Sequence, residues 1–151
     1  MTSTPAYLRL DPNGPLPYIE LSRWFRAIVV LDAKYSDDWQ MEVSRWLVDA
    51  GCLYMMAWGP DCGTWDDSVD YALILKYLPD EAPEKEFIMT TWHENESLED
   101  VFWFCQFNAF DTFNQITNTL IVHIGEHDRK EEFLKLFDDS KTLAQREIGE
   151  G

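Results

Sequence analysis

Cysteine, histidine and carboxylate side chains can act as nucleophile, base or metal ligand, and in this chain they cluster just after apolar runs. Cys62 stands in AWGPDCGTWDDSVD (57–70), His93 and Glu94 in TTWHE, His127 and Asp128 in GEHD, and Asp32 directly after FRAIVVL. A cysteine ahead of a helix start has its thiol pKa lowered by the helix dipole, and a nearby histidine can serve as its base. The first chemistry suggested is therefore a small hydrolase with Cys62 as nucleophile and His93 or His127 as base, the histidine oriented by Glu94 or Asp128. Carboxylates crowd the same turns and oppose this, because they raise a thiol pKa.

A divalent metal at the same place is the other route to hydrolysis. Cys62, His93 and His127 supply three zinc-type ligands from three loops, while Asp32, Asp61, Asp66 and Glu94 supply hard oxygens for magnesium. Neither set has diagnostic spacing, and TTWHE lacks the second histidine of the zinc-protease helix. Phosphate chemistry is not expected. GPDCGT brackets a turn with Gly59 and Gly63, but no lysine follows and Asp61 would repel an anion. DAKYS, after the first run, contains no glycine, so no dinucleotide fingerprint exists and no organic cofactor is expected.

Positioning these residues requires alternating strands and helices. FRAIVVL (25–31) reads as a strand covered on both faces. The helix after it is capped by Ser36, carries Asp37 and Asp38 at its positive end and closes at Gly51. Trp39, Val43, Trp46 and Leu47 fall on one stripe of that helix. CLYMMAW, FIMTTW and TLIVHI begin three more units. Thr64 with Asp67 and Ser97 with Asp100 resemble capping boxes. Four such units predict an α/β three-layer sandwich, a mostly parallel sheet of four to five strands in a flavodoxin-like order. Residues 1–22 hold four of the seven prolines and read as an extended arm packed on the domain. A single domain is expected over 23–141, and a frayed tail over 142–151.

In such a sheet, ligands bind where loops leave the carboxyl ends of the strands. Two of three histidines, one of three cysteines and Trp58, Trp65 and Trp92 fall there, which makes that rim the expected site. Its candidate binding residues are Asp32, Trp58, Asp61, Trp65, Asp66, Trp92, Glu94 and Asp128. His123, inside TLIVHI, reads as a buried histidine without chemistry.

Twelve basic residues against 28 acidic give a formal net charge of −16. Such a field repels nucleic acid and anionic membranes and attracts basic partners. No run is apolar enough to span a membrane, the first residues lack a signal-peptide pattern, and three cysteines without CxxC spacing suit a reducing cytoplasm.

AWGPDCGTWDDSVD, FIMTTWHE and DVFWF resemble an uncharacterised bacterial family of small acidic proteins carrying a domain of unknown function. The likeness spans about residues 24–137. It implies a bacterial cytosolic origin and no particular reaction. Together these features point to an acidic domain that binds a basic protein, of inhibitor or immunity type. A hydrolase at the same rim and a sensor stacking a flat cationic small molecule on tryptophan are the alternatives.

Overall fold

The computed structural model describes residues 4–21 and 24–150, with side chains up to Thr142. Five strands, β1 (Ala6–Leu10), β2 (Phe25–Leu31), β3 (Cys52–Trp58), β4 (Met89–His93) and β5 (Asn118–Ile124), form one sheet. The order is β1-β5-β2-β3-β4, and every pairing is parallel. Four helices follow the last four strands: α1 (Asp37–Ala50), α2 (Gly63–Tyr77), α3 (Leu98–Asn108) and α4 (Lys130–Glu150). The predicted arm supplies edge strand β1. The frayed tail expected over 142–151 falls mainly on residues whose side chains lie outside the description, although the helical backbone runs to Glu150.

Right-handed crossovers explain the layering. The chain steps from β2 to β3 to β4 in one direction, so α1 and α2 cover one face. It then returns past β3 and β2 to β5, which sends α3 to the other face, where α4 packs beside it. Two cores result. Ala27, Val29, Met55 and Val122 pack with Trp39, Val43 and Leu47 of α1, Trp65 and Val69 of α2, and Ile19 of the arm. Ile28, Val30, Met56 and Ile121 pack with Val101, Phe102 and Cys105 of α3 and Phe133 and Phe137 of α4. Burying each phenylalanine stabilises the fold by about 1.5–3 kcal/mol.

Two expectations need correction. A flavodoxin-type order would be 2-1-3-4-5, whereas here β5 inserts between β1 and β2. The reversal comes late, after β4, because two same-direction crossovers precede it. The Thr64–Asp67 capping box does not form either: the N-cap position of α2 is Cys62, which makes no side-chain capping bond, and the Thr64 hydroxyl donates to Asp61 O. Ser36 and Ser97 do cap, accepting from the amides of Trp39 and Asp100, and Gly51 ends α1 in the left-handed region at φ 103°.

Candidate functional site

All four helices begin at the carboxyl rim of the parallel sheet, so four positive helix ends point there. That accounts for much of its acidity. Asp37 and Asp38, Asp66, Glu99 and Asp100, and Glu131 and Glu132 occupy first turns and complement the dipoles. The loop acids Asp32, Asp61, Glu94, Glu96, Glu126 and Asp128 are additional, and all are exposed.

The rim divides into two neighbourhoods. At the first, β2 and β5 lie side by side while their helices leave to opposite faces, which opens a crevice between their loops. His123 Nε2 is 3.0 Å from Asp32 Oδ2, and His123 Nδ1 is 2.7 Å from the Tyr7 hydroxyl. A carboxylate only accepts, so in the neutral imidazole Nε2–H donates to Asp32 and Nδ1 accepts from Tyr7. Tyr7 in turn accepts from the Arg129 amide at 3.0 Å. Burial, its largest influence, raises the Tyr7 pKa and keeps the phenol protonated. Gly125 allows the approach, since a Cβ there would collide with the Asp32 carboxylate. His123 is fully buried, and the chain Arg129–Tyr7–His123–Asp32 fastens β1, β5, the loop after β2 and the start of α4 together. Sequence reasoning placed His123 correctly in the interior and missed its partners.

The second neighbourhood is the corner of β3 and β4. The three tryptophans expected there differ sharply. Trp65 is 1% exposed and belongs to the core, so it cannot touch a partner, which corrects its place among the binding residues. Trp58 is half-buried, its indole N–H donating to Glu96 O at 2.8 Å. Trp92 is 49% exposed. It lies with Glu94 over the start of α2: a Cβ added to Gly63 would meet Glu94 Oε1 at 3.3 Å and Trp92 Cδ1 at 3.5 Å. Asp61, at φ 63°, faces Lys34 Nζ at 3.5 Å. Asp66 hydrogen-bonds the Thr90 hydroxyl of β4.

The thiol–imidazole pair is not assembled. Cys62 is 1% exposed in the core beneath α1 and α2, whereas the His93 ring packs on Phe104 of α3, across the sheet. Both His93 nitrogens are engaged, Nδ1 with Glu96 at 2.7 Å and Nε2 with Thr91 at 2.9 Å. Burial first, and then the Glu94 charge, push the Cys62 pKa up, outweighing the His93 backbone hydrogen bond that pulls it down. Nor does the zinc set gather. His127 follows β5 and His93 ends β4, three strand positions apart, or about 14 Å at the usual spacing of roughly 4.8 Å. Among the described residues no three His, Cys, Asp or Glu side chains are placed to share one ion. No helix is long and apolar enough to cross a membrane among these residues.

Fold and rim thus define a doubly wound parallel α/β domain with an acidic edge, where Trp92 stands exposed. The chain belongs to the family described as a domain of unknown function (DUF7684), whose model matches residues 5–140. No curated protein matches it. A solved structure described as a hypothetical protein is 12% identical, with a TM-score of 0.44 over 80% of this chain and 76% of the other.

Proposed function

We propose that this protein is a binding domain for a basic protein partner, engaged at the β3–β4 corner of the acidic rim. The observation that carries this reading is Trp92, half exposed and flanked by Glu94 and the Asp61–Asp66 turn, while Trp58 and Trp65 are held by the fold. Aromatic side chains supply most of the energy at hot spots, and charges around them set approach and register. A net charge of −16 steers a cationic protein toward the domain over distances that salt screens.

The concrete form is an inhibitor or immunity-type protein that neutralises a cationic enzyme in a bacterial cytoplasm. Its counterpart would place lysine or arginine over the Trp92 face, a cation–π contact contributing about 0.5–2 kcal/mol, and pair others with Glu94 and Asp61. The engaged imidazoles of His93 and His123 and the buried Cys62 thiol favour binding over catalysis here.

The test is affinity isolation from producing cells at low salt, run in parallel with Trp92→Ala and Glu94→Lys. The reading expects one basic protein, released by salt and lost with both variants. Recovery of no basic protein, or equal recovery by all three chains, contradicts it.

A further inference from the structure

β4 ends the sheet, and among the described residues no strand pairs with its outer edge. Its sequence, MTTWH, places neither proline nor lysine on that edge. Apolar side chains crowd its flanks instead. Tyr71 and Ile74 of α2 and Leu78 just past its end are exposed, as are Met89 of the strand and Phe87, Phe110 and Phe113. A cleft of about 510 Å³ runs between Ile74, Leu78 and Phe87 on the α2 side. Another of about 410 Å³ lies between Phe87, Met89, Phe110 and Phe113. Uncovered patches of this kind mark interaction sites.

Charge says what covers this one. Thr90 and Trp92 point to the α2 side, where the Thr90 hydroxyl bonds Asp66 and lies 3.4 Å from Asp70. Neither aspartate forms an ion pair among the described residues. A second copy of this chain would set the same carboxylates against themselves. A cationic strand would neutralise them.

Resting on the basic-partner reading, we propose that an extended segment of that partner adds to β4 as a sixth strand, with alternating basic and apolar side chains. Alternate residues of a strand face opposite sides. The basic ones therefore meet Asp66, Asp70 and the Trp92 ring on the α2 side. The apolar ones enter the cleft at Met89, Phe110 and Phe113. This is strand addition, in which backbone hydrogen bonds supply affinity and alternate side chains supply specificity.

A short synthetic peptide of alternating lysine and valine is the probe, with the same peptide N-methylated at alternate residues, in either register, as control. Methylation removes edge hydrogen bonds while keeping charge and side chains. Affinity is read by tryptophan fluorescence, and position by amide hydrogen exchange. The unmodified peptide should protect β4 amides, bind at least about tenfold more tightly than one methylated form, a gap of about 1.4 kcal/mol, and weaken with Asp70→Asn. Equal binding of all peptides with steep salt dependence would overturn strand addition and leave the basic-partner reading standing. Protection of β4 that ignores salt would overturn the charge assignment and that reading together. Failure of every peptide to bind would overturn strand addition, as would a dimer of the free protein that already protects β4.

Discussion

Asp32 and His123, 91 residues apart in the chain, meet at 3.0 Å across the boundary between β2 and β5. The contact joins the first of the central strands to the last, and Tyr7 extends it to β1. It stands at the sheet's main crevice, yet both His123 nitrogens and the Tyr7 hydroxyl are engaged within it, so its role is to hold the rim in shape.

Tyr7→Phe tests that role. The change keeps the ring against Phe133 and deletes the hydroxyl, leaving the buried His123 Nδ1 and the Arg129 amide without partners. A stability loss of about 1–3 kcal/mol is expected, read as a lower urea midpoint at unchanged slope. Gly125→Ala should cost at least as much, because its methyl group displaces Asp32. Unchanged midpoints in both variants would show that the network contributes nothing.

The thiols should be inert in the native protein. Cys52, Cys62 and Cys105 are all buried. Burial pushes Cys52 up to about 12 and Cys105 up to about 11, and raises Cys62 as well. Ellman's reagent near neutral pH should therefore react slowly with the folded chain and with all three thiols once it is unfolded. Fast labelling of native Cys62 would revive the hydrolase alternative.

Asp70 gives a pH dependence of definite sign. Burial first, then Asp66 and Asp67, raise its pKa above the ordinary aspartate range. The folded state therefore holds that proton more tightly than the unfolded state. Its contribution favours folding at acid pH and is lost as pH rises through the raised pKa. Asp70→Asn should accordingly raise the denaturation midpoint at neutral pH. The gain should shrink when both proteins are compared near the unperturbed value of about 3.9. An equal shift at both pH values would contradict the assignment. The same variant should weaken a basic ligand at β4, which would make Asp70 a group kept for binding at the expense of stability.

The rim tryptophans should separate in quenching and stability. Trp92→Phe should remove a large part of the acrylamide-accessible emission, acrylamide being neutral and so not repelled by the acidic rim, and leave the urea midpoint nearly unchanged. Trp65→Ala should cost about 3–5 kcal/mol, because its indole fills the core under α2. The reverse pattern would contradict the placement of Trp92 in the open and of Trp65 in the core.

Much of this architecture was readable in the residues, for local reasons. FRAIVVL, CLYMMAW and TLIVHI announce strands through β-branched and apolar runs, and Ser36, Gly51 and Ser97 mark helix ends by chemistry that acts within a few positions. Arg26 inside the first run gives no sign of its partners in sequence, since it is buried and bonds Thr119 and Ala109 O from distant segments. Strand order was not readable, because it depends on which core each helix completes. Trp58, Trp65 and Trp92 look alike in sequence and separate only through packing: one donates to Glu96 O, one fills the core and one stays open. The carboxyl rim followed from the alternation of elements. The open flank of β4 did not, since a strand reveals its edge position only when its neighbours are known.

The measurement that reaches the central claim most directly is the association rate of the isolated partner as a function of ionic strength, for the native chain and for Glu94→Gln combined with Asp61→Asn. An acidic rim that steers a basic protein predicts a steep fall in rate with added salt, slower association by the double variant at low salt, and convergence of the two at high salt. A rate indifferent to salt, or a double variant that matches the native chain throughout, would contradict it.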